Sequence, residues 1–99
     1  MRPIHVAELD KARPVLVLTR EIVRPHLNTV TVVPITGTIR GLSTEVPVGI
    51  ANGLEKPSVV ACDHVTTIPS DALGARIGLL LDDQEAALSN AIHAAFDLD

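Results

Sequence analysis

The segment 28-NTVTVVPI-35 indicates that this chain is rich in β-structure. Nearly all of its residues are β-branched, and such side chains are favoured in buried and half-buried strands. Pro34 has no N–H group to donate to a ladder, so we expect it at a strand end or on a sheet edge. The segment is therefore predicted to be a strand.

Shorter strand candidates lie on both sides of this segment. They share apolar runs or alternation of strand length, and they are IHVAEL (4–9), PVLVLT (14–19), TEVPVG (44–49), SVVAC (58–62) and HVTTIP (64–69). Turn-forming residues separate several of them at Gly41, Asn52–Gly53 and Pro57. The run RIGLLL (76–81) is either one more strand or an extended lead into the element that follows.

From Asp82 onward the apolar period becomes that of a helix. Asp82 is a suitable N-cap and Glu85 follows three residues later, which resembles a capping box. An apolar stripe at helical spacing is formed by Leu88, Ile92, Ala95 and Phe96. We therefore predict a mainly β fold with a C-terminal helix packed on the sheet, in a single domain over residues 1–99.

The composition is that of a globular domain. The 99 residues, 46% of them hydrophobic, suffice for one modest core. The apolar runs are far shorter than a membrane span, so we expect no membrane partner. The N-terminus has no continuous apolar h-region, and the single cysteine cannot form an internal disulfide. Both features favour the cytoplasm.

The charge is unevenly distributed along the chain. Residues 1–40 contain six basic and three acidic residues, whereas residues 41–99 contain two basic and nine acidic residues. A basic surface can therefore coexist with an acidic one despite the net charge of −4. Such asymmetry is compatible with a polyanionic ligand, although ordinary solvated charge is the alternative.

Arg13 is the first candidate for chemistry, because it stands directly before Pro14. Proline disfavours the α region for the residue before it, so we expect Arg13 to be extended at the entrance to a strand. A guanidinium is permanently charged and offers a planar fork of donors, which suits a phosphate that gains charge in a transition state. An ordinary solvated arginine remains the alternative.

The segment PITGTIRG (34–41) is the second candidate. It contains Thr36, Thr38 and Arg40 beside two glycines, and Ser43 follows shortly after. Glycines let a backbone approach a ligand, while hydroxyl and N–H groups donate to phosphate oxygens. A hairpin with ordinary threonines would give the same pattern.

The segment ACDHVTTIP (61–69) is the third candidate. In an extended strand Cys62 and His64 would share one face and Asp63 would take the other, so the three cannot converge as a triad. We expect Cys62 in the core, and His64 either hydrogen-bonds a base, moves a proton or has a structural role. One cysteine and scattered histidines give no ligand spacing, so no metal site is expected.

Together these segments resemble the MazF/PemK family of toxin endoribonucleases. The resemblance covers nearly the whole chain and rests on RPVLVLT (13–19), TVTVVPITGTIRG (29–41), TEVPV (44–48), PSVVACDHVTTIP (57–69) and the amphipathic helix. It implies an SH3-like, curved antiparallel barrel of the CcdB/MazF/PemK type, assembled as a homodimer. It also implies metal-independent cleavage of single-stranded RNA at short sequences, without a cofactor, and neutralisation by a MazE-like antitoxin.

The resemblance also implies roles for individual residues. The family's catalytic arginine matches Arg13 and its catalytic threonine matches Thr36, while its later glutamine and the acidic neighbour fall on His64 and Asp63. Tryptophan and tyrosine are absent, so RNA must be read by hydrogen bonds and arginine planes rather than aromatic platforms. The RNA-binding candidates are Arg20, Arg24, Thr38, Arg40, Ser43, Asp63 and His64.

The chain departs from the family pattern in its first loop. Only LDKA (9–12) separates the first strand from Arg13, so the long loop that usually contributes acidic and hydroxyl groups is missing. The general base is therefore unassigned, and Glu8 and Asp10 are the nearby candidates. Histidine at position 64 in place of glutamine should alter the sequence preference, since imidazole presents its two nitrogens in different directions.

Two other functions remain open at this stage. A CcdB-type toxin that poisons gyrase would use the same barrel, but that family has a tryptophan-containing tail and this chain ends in FDLD. A non-catalytic SH3-like module would need an aromatic groove, which one phenylalanine cannot line. The sequence leaves the cleavage site open, as well as the choice among messenger, ribosomal and transfer RNA.

Overall fold

The computed structural model describes residues 2–98, which contain seven β-strands and one α-helix. The strands are β1 (Pro3–Glu8), β2 (Ala12–Val17), β3 (Thr29–Thr36), β4 (Glu45–Val48), β5 (Ser58–Ala61), β6 (Thr66–Pro69) and β7 (Leu73–Leu79), and the helix is α1 (Glu85–Ala95). The predicted order of strands followed by a helix is confirmed. The open choice for RIGLLL is also decided, because most of it lies in β7. Within the described residues, no helix has the length and apolar character needed to cross a membrane.

The strands form one antiparallel sheet in the order β4–β5–β3–β2–β1–β7, with β6 joined to β3. The central strand β3 pairs with β2 along one edge. Along its other edge it pairs with β6 at Thr29–Val32 and with β5 at Ile35 and Thr36. The mainly β, antiparallel fold with a C-terminal helix is therefore confirmed.

A turn of 3₁₀ helix, Cys62–His64, separates β5 from β6. The prediction that Cys62 and His64 share one face of an extended strand is wrong, because the chain coils at this point. Pro34 was expected at a strand end or sheet edge, but it lies within the central strand and pairs with Val15. Its missing N–H group is tolerated because the opposite edge of β3 is interrupted there between β5 and β6.

The core has apolar residues on both faces of the central strands. One cluster packs between the sheet and α1 and includes Leu16 and Val33, and the other includes Val15 and Val32 on the opposite face. Successive residues of a strand point to opposite faces. Burial on both faces therefore explains why β2 and β3 have continuous apolar runs rather than alternation.

The helix differs from the prediction at both ends. Asp82 does not cap it through its side chain; residues Asp82–Gln84 form a 3₁₀ turn, and the Gln84 Oε1 atom accepts the Leu81 N–H group at 2.8 Å. Phe96 follows the last helical turn and is 55% exposed, so its predicted place in the apolar stripe is wrong. Leu88 and Ala91 are the residues of the helix that are buried against the sheet.

A buried asparagine fastens the turn after β4 to the last strand. The Asn52 side-chain amide donates to the Leu79 carbonyl at 3.0 Å and to Gln84 Oε1 at 2.6 Å. The two backbones approach so closely that a Cβ atom on Gly78 would overlap the Asn52 carbonyl oxygen. The absence of a side chain at Gly78 therefore lets this turn, and the segment that follows it, lie directly against β7.

Candidate active site

A cavity of about 500 Å³ opens beside the C-terminal end of β3. It is bounded by the start of β2, the loop between β3 and β4, and the 3₁₀ turn between β5 and β6. The predicted site residues that line it are Asp10, Arg13, Thr36, Thr38, Arg40, Asp63 and His64. Side chains from three separate segments of the chain, 10–13, 36–40 and 63–64, therefore meet in one place.

Arg13 enters the cavity from β2, where it pairs with Ala7 of β1, and its side chain is 34% exposed. Its Nε atom donates to Asp10 Oδ1 at 2.8 Å, and its Nη2 atom donates to Asp10 Oδ2 at 3.1 Å. A bidentate pair of this kind fixes the plane of the guanidinium. It uses two of the five N–H groups, so the others remain for an anion in the cavity.

The ion pair lowers the pKa of Asp10. The side-chain hydrogen bond from Arg13, together with its positive charge, holds the pKa of this carboxyl at about 2 instead of 3.8. The same contact raises the pKa of Arg13 above its ordinary value. Both groups are therefore fully charged at neutral pH.

We expect the Asp10 carboxyl to titrate with a midpoint near pH 2 in the folded protein, as measured by the ¹³C chemical shift of its carboxyl carbon. Because the folded pKa is depressed, the stability that the pair contributes is present above the unfolded pKa of about 3.9 and is lost as the pH falls through about 2. In Arg13→Gln the midpoint should return towards the ordinary carboxyl value. An unchanged midpoint in this variant would show that Arg13 is not the cause.

Thr36 lies at the end of β3 and faces the same cavity. The recorded β2–β3 pairing ends at Val15 and Pro34, so Arg13 and Thr36 each lie two residues beyond the last pair. The Thr36 Oγ1 atom accepts the Thr38 N–H group at 3.1 Å. Since the hydroxyl accepts this bond, its own hydrogen can be donated to a ligand.

Glu45 shapes the loop that carries Thr38 and Arg40. Its Oε1 atom accepts the backbone N–H groups of Arg40 at 3.1 Å, Gly41 at 2.9 Å and Leu42 at 3.2 Å. Gly41 has φ +74°, a conformation that glycine adopts readily. The loop therefore curls around one carboxylate, and Arg40 is brought to the wall of the cavity.

The 3₁₀ turn places Asp63 and His64 in the lining of the same cavity. The Thr44 hydroxyl donates to Asp63 Oδ2 at 2.7 Å, which orients this carboxylate. Cys62 is fully buried as predicted, and burial together with the nearby Asp63 charge raises the pKa of its thiol to about 11. The thiol is therefore protonated at neutral pH and does not supply a nucleophile.

Four of the predicted site residues lie outside the cavity lining. Arg20 and Arg24 are in the connection between β2 and β3, where Arg24 forms an ion pair with Glu21. Glu8 is exposed at the end of β1, and Ser43 is exposed in the loop before β4. Contacts of Arg20, Arg24 and Ser43 with RNA, and a role of Glu8 as general base, remain predictions.

Sequence reasoning missed the role of Glu45. Its partners are backbone N–H groups of a loop, so nothing in the residue types around it distinguishes it from a surface acid. Within residues 2–98, no group of three or more histidine, cysteine, aspartate or glutamate side chains is arranged to hold a metal ion.

Comparison with known proteins identifies close relatives. The chain is 68% identical over 99 residues to Endoribonuclease MazF3 of Mycobacterium tuberculosis, and the match covers all of this chain and 96% of that protein. Its structure is similar to that of the Mycobacterium tuberculosis toxin MazF-mt6, with a TM-score of 0.97, 67% identity and coverage of 99% of both chains.

A more distant structural relative shares the fold. It is described as an endoribonuclease in complex with its cognate antitoxin from Mycobacterial species, and it has a TM-score of 0.87 at 24% identity. The similarity covers 98% of this chain and 93% of that one. Residues 2–96 also match the family model of the PemK-like, MazF-like toxins of type II toxin–antitoxin systems. The chain therefore belongs to the PemK/MazF toxin family, as the sequence resemblance predicted.

Proposed function

We propose that this protein is a sequence-specific endoribonuclease toxin that cleaves single-stranded RNA without a metal ion, inhibits translation and growth, and is neutralised by an antitoxin. The observation that carries the proposal is the meeting of Arg13 and Thr36 in one cavity, in a chain 68% identical to a protein named an endoribonuclease. A permanent cation and a hydroxyl donor at one point suit a phosphodiester that gains charge as it reacts.

The reaction begins when a ribose 2′-OH attacks the phosphate on its own 3′ side. The P–O bond to the next nucleotide then breaks and the departing 5′-oxygen takes a proton from water, so the products are a 2′,3′-cyclic phosphate and a 5′-OH. Arg13 stabilises the dianionic phosphorane electrostatically, and the Thr36 hydroxyl donates a second hydrogen bond to it. Arginine is not needed as a literal acid, because its pKa is too high for easy proton release.

Asp10 is better suited to orient Arg13 than to accept the 2′-OH proton. Its carboxylate has a pKa of about 2, and both of its oxygens are bonded to the guanidinium. An efficient general base has a pKa near the working pH, which makes this carboxylate a weak one. His64 lines the same cavity, and a neutral imidazole nitrogen can accept a proton. We therefore assign the proton acceptor to His64 within this proposal.

The polar walls of the cavity supply the sequence preference. The Asp63 carboxylate is held by Thr44, and the loop carrying Arg40 is held by Glu45, so both walls are oriented before RNA binds. A carboxylate can accept the amino group of a base, and a guanidinium can donate to base acceptors. Base edges are therefore read by hydrogen bonds.

The same proposal includes the assembly and the location of the protein. One structurally similar protein is an endoribonuclease in complex with its cognate antitoxin, and another similar structure contains MazE and MazF from Deinococcus radiodurans. By analogy we assign to this chain a homodimeric state and a MazE-like antitoxin partner. Access to translated or structural RNA requires the protein to act in the cytoplasm.

We expect the purified protein to cut long RNA in the presence of EDTA at one short recurring sequence. Mapping the new 5′ ends by primer extension would identify that sequence, and ribosomal, transfer and messenger RNA supplied separately would identify the target class. Arg13→Ala purified in parallel controls for a contaminating nuclease. Intact RNA after incubation with the folded wild-type protein would overturn the proposal and favour a gyrase-directed or non-catalytic toxin.

A further inference from the structure

A second cavity of about 500 Å³ meets the first at its reactive residues. Arg13 and Thr36 line both cavities, and Ile35 lies between them as a shared wall. The second cavity extends away from the base-reading walls towards the segment that precedes β5. A strand that passes through the first cavity can therefore continue into the second without leaving the protein surface.

The two cavities differ in charge. The first contains three carboxylates, from Asp10, Glu45 and Asp63, beside two guanidinium groups. The second contains Lys11, Lys56 and the shared Arg13 against the single carboxylate of Glu55. The second cavity is thus cationic, and cations placed along a groove are how proteins bind the backbone of single-stranded nucleic acid.

The Lys56 ammonium group is close to the reactive residues. A Cβ atom built on Gly37 would lie 2.7 Å from Lys56 Cε and 2.9 Å from Lys56 Nζ. The lysine side chain therefore rests against the backbone of the residue directly after Thr36. Any larger residue at position 37 would have to displace this ammonium group.

The segment that carries Lys56 is held in place at both ends. On one side, the Asn52 side chain donates to Leu79 of β7 and to Gln84 in the 3₁₀ turn before α1. On the other side, the Ser58 hydroxyl donates to the Lys56 carbonyl at 3.1 Å, and Ser58 is buried at the start of β5. The backbone of Lys56 is consequently held by the fold, and its exposed side chain extends from there to Gly37.

We propose that Lys56, assisted by Lys11, binds the RNA phosphate next to the scissile phosphate, so that the strand runs through both cavities with the scissile bond at their junction. This inference rests on the proposed function. The apolar part of the second cavity, formed by Leu54 and Ile77, accommodates the sugar of the flanking nucleotide. Lys56 thus binds and positions the substrate and does not take part in bond breaking.

The test uses the wild-type dimer, Lys56→Gln and a control variant with the same change of charge. Arg76→Gln is that control, because Arg76 is exposed on β7 and lines neither cavity. Affinity is measured by fluorescence anisotropy with a cleavage-site oligonucleotide that carries 2′-deoxyribose at the scissile position. Cleavage of the all-ribose oligonucleotide gives kcat and KM separately.

For Lys56→Gln we expect Kd and KM to rise about tenfold at low salt, with kcat within about twofold of the wild-type value. The slope of log Kobs against log salt should become shallower by about 0.7, the value for one phosphate contact on a single strand. Lys56→Arg should restore most of the affinity, and Arg76→Gln should leave Kd and kcat unchanged.

The phosphate that Lys56 contacts can be located by replacing each linkage in turn with an uncharged methylphosphonate. One linkage beside the scissile one should lower wild-type affinity, and the same replacement should have little further effect in Lys56→Gln. Equal losses in both proteins at every linkage would overturn the assignment of Lys56. If the wild-type protein binds and cuts RNA while Lys56→Gln is identical to it, only this subsite fails. If the wild-type protein cuts no RNA, it is the proposed function that fails.

Discussion

Arg13→Ala is expected to lower kcat for RNA cleavage by about 100- to 1,000-fold, the loss typical when one preorganised donor to a developing anion is removed. The guanidinium is already oriented by its two bonds to Asp10, so in the proposed reaction it stabilises the phosphorane without reorganising. Because charge grows on the phosphate in the transition state, the loss should appear in kcat more than in KM. Single-turnover cleavage of a defined oligonucleotide measures it.

Two further variants separate charge from geometry. Arg13→Lys keeps a cation but loses the planar fork, so it should recover only a small part of the activity. Asp10→Asn keeps Arg13 but removes the ionic partner that fixes its plane, so a smaller loss than that of Arg13→Ala is expected. Since Arg13 is partly exposed, its removal should leave the urea midpoint nearly unchanged. Folded Arg13→Ala with near-normal kcat would contradict the catalytic assignment.

A single 2′-deoxyribose on the 5′ side of the scissile phosphate is expected to abolish cleavage at that site. In the proposed reaction the 2′-OH is the nucleophile, so without it the linkage has no attacking group. Removing the hydroxyl should leave binding nearly intact, because phosphate contacts dominate affinity. Denaturing gels follow cleavage, and anisotropy measures Kd on the same oligonucleotide.

The matched control places the 2′-deoxyribose one nucleotide further along, where cleavage should continue at close to the normal rate. Mass spectrometry of the all-ribose products should give a 2′,3′-cyclic phosphate and a 5′-OH. Cleavage at the deoxyribose-containing linkage, or a 5′-phosphate on the product, would require a water nucleophile and refute the transesterification step. EDTA should change neither rate nor product ends.

Much of the local structure was predictable from the sequence. The β-branched run around Val32 is a strand because its side chains suit a pleated, buried surface, and the helical period after Asp82 is a helix. Predictions failed where a local preference met a tertiary alternative. Asp82 suits an N-cap, but Gln84 bonds the backbone there and is itself held by buried Asn52. The predicted Asp82 cap is therefore replaced by a hydrogen-bond network that joins the turn after β4, β7 and the 3₁₀ turn before α1.

The candidate site was predictable residue by residue but not as an arrangement. Pro14 indicates that Arg13 is extended, and the family resemblance points to Thr36. Neither indicates that both Asp10 oxygens accept hydrogen bonds from the guanidinium. The role of Glu45 as an acceptor for three loop N–H groups had no signal at all. Such contacts depend on the conformation of a loop, and hydrophobic periodicity does not predict loop conformation.

The sequence by itself determined which segments are strands, which segment is the helix, and that Arg13 is extended, since these follow from short-range sterics and apolar period. Only the tertiary structure decided that Arg13 and Thr36 line the same cavity, because that depends on how β2 and β3 pair in the sheet. It also decided that Asp63 and His64 line this cavity, through the 3₁₀ turn between β5 and β6. The cationic second cavity likewise depends on Lys56 and Gly37, which lie close together although they are distant in sequence. Contacts between distant residues are set by pairing and packing of the whole chain, and no single segment encodes them.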